Sequence, residues 1–149
     1  MLTGILINLF ERDLSKLEEE IAAYDTAAGI WLIPPGIKNP AGNLCLHLCG
    51  NLQHYVGAVL GKTGYVRNRD LEFSARNVPT EELLVLISTT RRITLTVIAG
   101  LTAEDIEKIY PEKVLAGTLS TGHFLVHLST HLNYHLGQIN YHRRLTQPG

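Results

Sequence analysis

Five of the seven histidines in this chain lie in one stretch, from His123 to Leu145. Four of them recur at every fourth position, which on an α-helix places each one turn above the last with a drift of about 40°; they are His123, His127, His131 and His135. Because of the drift, His131, His135 and His142 share the face of the large apolar residues, which must turn towards the core. The other two lie on the flank of that face.

Metal binding is the chemistry that this spacing makes available. No Asp or Glu follows Glu112, so the helix has no carboxylate of its own to neutralise a protonated histidine. Buried histidines there are expected to be uncharged, and neutral imidazole is a metal ligand. His131 and His135 have the spacing of the two histidines in the H-E-x-x-H motif. The Glu of that motif is absent, so a metalloprotease would lack its general base.

A second segment supplies a third histidine. Residues 43–60 contain no charged side chain, which predicts a helix that is covered on most sides. Four polar residues form one stripe along it, namely Asn43, His47, Asn51 and His54. Helices in a bundle approach within about 8–10 Å, so imidazoles on two facing helices can reach one ion. We predict that His47, His131 and His135 bind a metal ion and leave an open position, which is typical of catalytic zinc.

Four further polar residues are close enough in helical register to support these ligands or to contact a substrate. They are Asn51, His54, His127 and Gln138. For each of them, a role as a buried polar residue satisfied by water is the simpler interpretation. Cys45 and Cys49 lie nearly opposite His47 on the helix, so they are interpreted as reduced core thiols rather than as ligands.

The whole-chain composition indicates one globular domain over residues 1–149. The chain is 45% apolar and 18% charged with a net charge of -1, which gives no reason to expect nucleic acid or an anionic membrane as a partner. The first residues have no basic region, and Asn8 interrupts their apolar run, so neither a signal peptide nor a membrane span is expected. The predicted location is the cytoplasm.

Hydrophobic periodicity predicts four long helices, over residues 2–28, 43–60, 80–100 and about 121–145. Pro and Gly mark residues 29–42 as a loop, and residues 61–78 are a charged connection with a short helix near residues 71–75. The predicted fold is therefore an all-α four-helix bundle with long connections between helices 1 and 2 and between helices 2 and 3. A ferritin-like di-iron site is excluded, because helices 2 and 4 contain no carboxylate.

Three segments resemble the DinB-like superfamily of damage-inducible and YfiT-type proteins. They are NPAGNLCLHLCGN at residues 39–51, YVRNRDLEF at residues 65–73 and HLSTHLNYHLGQI at residues 127–139. The RNRD-x-EF loop and the GNLCLHLCGN helix are similar to one subgroup within it. The resemblance implies a bundle, often dimeric, that binds a divalent ion, commonly zinc or nickel, through His47, His131 and His135.

The same resemblance implies a function with a low-molecular-weight thiol such as bacillithiol, mycothiol or glutathione. The expected activity is a metal-dependent S-transferase, in which the metal activates a thiolate that attacks an electrophile. Arg67 and Arg69 would then bind the carboxylates of the thiol, although surface ion pairs with Asp70 and Glu72 are an equally good interpretation. The alternative function is a non-catalytic, dimeric bundle that binds a metal or another ligand.

Overall fold

The computed structural model describes residues 1–147, and its regular elements are helices, accompanied by two isolated β-bridges. The four long helices are α1 (Leu2–Ala22), α2 (Ala41–Leu52), α4 (Thr80–Ala99) and α6 (Thr121–Thr146). The connections contain a 3₁₀ turn (Ala27–Trp31) and two short helices, α3 (Arg69–Ser74) and α5 (Ala103–Glu107). The predicted all-α bundle is confirmed. Within the described residues, no helix combines the length and the apolar character needed to cross a membrane.

Helix α1 packs along α4 and α6 through a single apolar stripe. Its fully buried residues are spaced four, four, three and four apart, as an amphipathic helix requires; they are Leu6, Phe10, Leu14, Leu17 and Ile21. Burying one such side chain contributes roughly 1.5–3 kcal/mol. The stripe therefore fixes which face of α1 meets the bundle.

Two buried carboxylates on α1 set the register of α6. Asp13 accepts a hydrogen bond from the Asn133 side chain at 3.1 Å. Glu20 accepts from Asn140 and from Arg143, both at 2.7 Å. Burial alone would raise the pKa of Glu20, but the hydrogen bonds from Arg143 and Asn140 outweigh it and lower the pKa. These contacts hold the histidine-bearing helix at a defined height in the bundle.

Helix α2 is almost completely covered, since eleven of its twelve residues are buried. The prediction that an uncharged helix is covered on most sides is thus confirmed. After Leu52 it continues as a π-helical segment (Gln53–Leu60), whose last turn closes with a 3.0 Å bond from Gly61 N to Val56 O. Because π turns close from i to i+5, each residue there rotates less than in an α-helix. Side chains beyond Leu52 therefore leave the stripe predicted from α-helical spacing.

The first helix ends at Ala22, six residues before the predicted end. Tyr24 is buried, and its hydroxyl lies 2.6 Å from His142 Nδ1, which pulls the chain onto α6. Thr26 then accepts a hydrogen bond from Gly29 N at 3.1 Å and caps the 3₁₀ turn. The short helix in the second connection begins at Arg69 rather than near Leu71, because the Asn68 side chain caps it.

Candidate metal site

Helices α2 and α6 bring together the three histidines singled out from the sequence. His47 comes from α2, and His131 and His135 lie one turn apart on α6. One ring nitrogen from each lies within 4.8 Å of the other two, and His47 Nε2 is 3.2 Å from His131 Nε2. Nitrogen ligands about 2.0–2.1 Å from a tetrahedral zinc ion would lie roughly 3.3 Å apart. The separation of the His47 and His131 nitrogens therefore matches two ligands of one ion, with the His135 nitrogen beside them.

Glu72 on α3 fixes the orientation and protonation of His47. Its Oε1 is 3.1 Å from His47 Nδ1, and both side chains are less than a tenth exposed. Arg67 donates to the same carboxylate from Nε at 2.8 Å and from Nη2 at 2.9 Å. An ionised carboxylate only accepts hydrogen bonds, and Glu72 Oε1 at 3.1 Å is nearer to His47 Nδ1 than the Arg67 Nη2 donor at 3.4 Å, so the proton of His47 is assigned to Nδ1. The lone pair of His47 is then on Nε2, which faces the α6 histidines.

The charge of Glu72 is retained despite its burial. Burial by itself would raise the pKa of this carboxyl group, but hydrogen bonds from His47 and Arg67 bring the pKa below its ordinary value. Burial would likewise lower the pKa of Arg67, and the hydrogen bonds to Glu72 raise it overall. The pair therefore remains ionised at neutral pH, with the negative end against His47.

The two histidines of α6 are uncharged near neutral pH. Burial lowers the pKa of His131 to about 4, and the neighbouring His135 and His47 add to the shift. Burial also lowers the pKa of His135, whose Nδ1 donates to Gln138 Oε1 at 2.7 Å. This hydrogen bond leaves the lone pair of His135 on Nε2. His131 Nδ1 is buried and has no hydrogen-bond partner among the described residues.

These protonation states test whether the cluster fits a cation. With Nδ1 of His47 protonated, its Nε2 lone pair points at His131 Nε2 over only 3.2 Å. When His131 carries its own proton on Nδ1, two lone pairs face each other, and they repel unless a proton or a cation lies between them. Neutral imidazoles are good ligands for divalent zinc and nickel. The three side chains therefore fit a divalent metal ion.

The four predicted supporting residues, Asn51, His54, His127 and Gln138, have different environments. Gln138 joins the cluster through its hydrogen bond with His135. Asn51 is buried, with no partner for its Oδ1 among the described residues. His54 instead pairs with Glu112 at 3.2 Å near the surface, two helical turns beyond His47. The His127 ring stacks on Phe124 and lies 6.4 Å from the His131 ring.

The two arginines of the α2–α3 connection have different environments. Arg67 is 12% exposed and is engaged with Glu72, so the ion-pair interpretation holds, but the pair is buried rather than on the surface. Its guanidinium also lies 5.8 Å from the Tyr55 ring. Arg69 is exposed, and its guanidinium lies over the Phe73 ring at 5.1 Å. Arg67 therefore holds its Nε and Nη2 donors on Glu72, and binding of a substrate carboxylate by Arg67 or Arg69 stays a prediction.

Helices α2 and α3 pack closely against each other near His47. The Asn43 side chain donates to the carbonyls of Glu72 and Ala75, each at 2.9 Å. A Cβ atom at Gly50 would overlap the Glu72 carboxylate. Glycine at position 50 thus lets the carboxylate lie directly on the backbone of α2. A buried acid in this connection was the signal that sequence reasoning missed, since it named Glu72 only as a surface partner.

Gly50→Ala is expected to reduce the free energy of unfolding by about 1–3 kcal/mol, because the new methyl group overpacks against Glu72. Gly137→Ala is the matched control, because a Cβ atom there meets nothing within 4 Å on α6. Alanine in a helix interior is worth about 0.5–1 kcal/mol over glycine, so this control should gain stability. Urea unfolding of both variants measures the difference. A Gly50→Ala protein as stable as the parent would contradict the packing described here.

Comparison with known proteins gives one family. The family model described as the DinB superfamily matches residues 9–139 of the chain. The matched range includes all three clustered histidines and the Arg67–Glu72 pair. Among curated proteins, none matches the chain.

Proposed function

The chain belongs to the DinB superfamily, and we propose that its three-histidine cluster binds a divalent metal ion used in a thiol transfer reaction. The observation that carries the proposal is the convergence of one nitrogen each from His47, His131 and His135 within 4.8 Å. Zinc and nickel are the ions we propose, because both accept imidazole nitrogen. Family membership and the cluster together support metal binding. The reaction with a thiol goes beyond metal binding and is the second part of the proposal.

Two residues beside the cluster set the protonation of its histidines for metal binding. Glu72 keeps the proton of His47 on Nδ1, and Gln138 does the same for His135, so both Nε2 lone pairs are available. Hydrogen bonds of this kind to metal-binding histidines fix the ring orientation and raise ligand basicity. Three protein ligands leave one position for an outside molecule. A divalent ion bound there would lower the pKa of a thiol and favour the thiolate at neutral pH.

The proposed reaction joins the sulfur of a low-molecular-weight thiol to an electrophilic carbon, and the thiol keeps its own C–S bond. The S–H bond breaks and its proton passes to solvent, while a new S–C bond forms. With an alkyl or aryl halide, the C–halogen bond breaks and halide leaves. With an epoxide, the C–O bond breaks and the oxygen takes up a proton. No carboxylate is needed as a general base, since the pKa of the thiol is lowered before attack.

A screen of thiols tests this proposal directly. Protein loaded with zinc or nickel is mixed with glutathione, bacillithiol or mycothiol and 1-chloro-2,4-dinitrobenzene, and the absorbance of the conjugate is followed. We expect metal-dependent turnover with at least one thiol, abolished by His131→Ala and retained by His123→Ala, whose side chain is exposed on the same helix. Bound metal without turnover for any thiol would contradict the proposed transferase activity but not the proposed metal site.

A non-catalytic role is the second candidate, and the contact between His47 and His131 favours it. The 3.2 Å separation of their Nε2 atoms also suits an N–H···N hydrogen bond if His131 carries its proton on Nε2. In that case the histidines form a polar core in a ligand-binding bundle. Their replacement would change the melting temperature and leave the metal content unaltered.

A homodimer and a cytoplasmic location, without nucleic-acid or membrane partners, remain predictions. The molecular mass in solution measures the oligomeric state.

A further inference from the structure

A cleft of about 530 Å³ lies beside the histidine cluster, between the outer face of α6 and the loop before α2. The metal-site residue His135 and its partner Gln138 form part of its wall. Leu44, one turn before His47 on α2, also lines it. Small-molecule sites usually have volumes of about 300–1,000 Å³. The cleft therefore has the size of a substrate site and reaches one of the three cluster histidines.

The wall of the cleft is aromatic and apolar, with one lysine among its lining residues, and the Arg144 guanidinium lies 5.3 Å from the ring of the lining residue Tyr141. Tyr134, Tyr141 and Leu145 are each 64–73% exposed along α6, which leaves their apolar surface open to a ligand. Lys38 is the only Lys or Arg among the lining residues in the described chain, and no Asp or Glu lines the cleft. Such a wall is complementary to a molecule that has a flat apolar body and a negative group.

The loop that carries Lys38 is held in place before any ligand arrives. His142 on α6 donates from Nε2 to the Leu32 carbonyl at 2.8 Å, and its Nδ1 accepts from the Tyr24 hydroxyl at 2.6 Å. A turn at Gly36, whose φ is +83°, follows, and Ile37 N bonds to Pro34 O at 3.0 Å. Only glycine adopts this φ without strain. The cleft is thus largely formed in advance, which reduces the entropic cost of binding.

We propose that the cleft binds the electrophilic substrate, and that this substrate is an aromatic or alkyl carboxylate. Its apolar body lies against Tyr134 and Tyr141, and its carboxylate pairs with Lys38. This assignment rests on the proposed function, since the cleft adjoins His135. It assigns Lys38 to the carboxylate of the electrophile, whereas Arg67 and Arg69 are predicted to bind the carboxylates of the thiol.

Calorimetric titration with two probes tests the proposal on the full chain loaded with zinc. The probes are 2-naphthoate and its neutral analogue 2-naphthamide. The parent protein should bind naphthoate more tightly than naphthamide. Lys38→Gln should lower the affinity for naphthoate about fivefold, the upper range for an exposed ion pair, and leave the affinity for naphthamide unchanged. Lys113→Gln, at an exposed lysine outside the cleft, is the matched control and should change neither.

Two further variants separate this proposal from the metal proposal. Tyr141→Ala should weaken both probes, because both use the aromatic wall. His131→Ala removes a cluster histidine that does not line the cleft, so naphthoate binding should persist even where metal is lost. Equal affinity for the two probes, or naphthoate affinity unchanged by Lys38→Gln, overturns the cleft proposal. Metal binding intact in that same protein would show that only the cleft assignment had failed.

Discussion

His131→Ala is expected to lower the affinity of the protein for zinc or nickel by at least about 100-fold. Altering a group behind a metal ligand already costs about 10–100-fold, and removing one of three nitrogen donors should cost more. His131 is central to the cluster, since its ring lies 5.1 Å from that of His47 and 4.6 Å from that of His135. His47→Ala and His135→Ala should have effects of similar size. Competition with a chromophoric chelator, on protein purified without an affinity tag, measures these affinities.

His123→Ala is the matched control for this experiment. It makes the same substitution on the same helix, but the side chain is exposed at the first turn of α6 and lies outside the cluster. Its metal affinity should equal that of the parent. If all four variants bind metal equally and differ only in melting temperature, the cluster is a hydrogen-bonded polar core. The non-catalytic alternative would then replace the metal site.

Glu72→Gln is expected to lower metal affinity about tenfold and to reduce the free energy of unfolding by about 1–3 kcal/mol. The amide oxygen can still accept from His47, so the ring is not released completely. The amide NH₂ group, however, faces the donors of Arg67, which loses its counter-ion while only 12% exposed. Breaking a fully buried pair costs about 3–5 kcal/mol, and the partial exposure of Arg67 reduces that figure. Chelator competition and urea unfolding measure the two effects separately.

Glu112→Gln provides the control for Glu72→Gln. It alters a second Glu–His pair of almost the same length, 3.2 Å to His54, but the Glu112 side chain is 43% exposed. Surface substitutions of this kind usually stay within about 0.5 kcal/mol, and metal affinity should not change. The comparison isolates the burial and position of the pair as the cause. Equal effects of the two variants would contradict the proposed role of Glu72 in the metal site.

A double variant, Arg67→Met with Glu72→Gln, separates stability from metal binding. Replacing both members of a buried ion pair by groups of similar size often restores stability. The double variant should therefore recover part of the unfolding free energy that Glu72→Gln loses. Metal affinity should stay low, because no charged carboxylate stands behind His47. Joint recovery of both properties would mean that Glu72 acts only by holding the fold together.

The amino-acid sequence by itself determined the fold class and the three histidines that meet. Apolar spacing along α1 and α6 and the absence of charge in α2 are local patterns, and each one specifies a helix and the face that it buries. Once two buried faces carry histidines, packing in a bundle brings them together. His47, His131 and His135 could therefore be grouped without coordinates.

Only the tertiary structure decided what surrounds that group. Glu72 follows His47 by 25 positions in a connection without periodicity, so nothing local indicates that it folds back onto Gly50. The chain from Gln53 to Leu60 is a π-helix where apolar spacing predicts an α-helix, and the first helix ends early, just before the buried contact of Tyr24 with His142. The cleft likewise joins Lys38 to residues about a hundred positions later. Each of these features depends on contacts between distant parts of the chain, which spacing along a single helix does not encode.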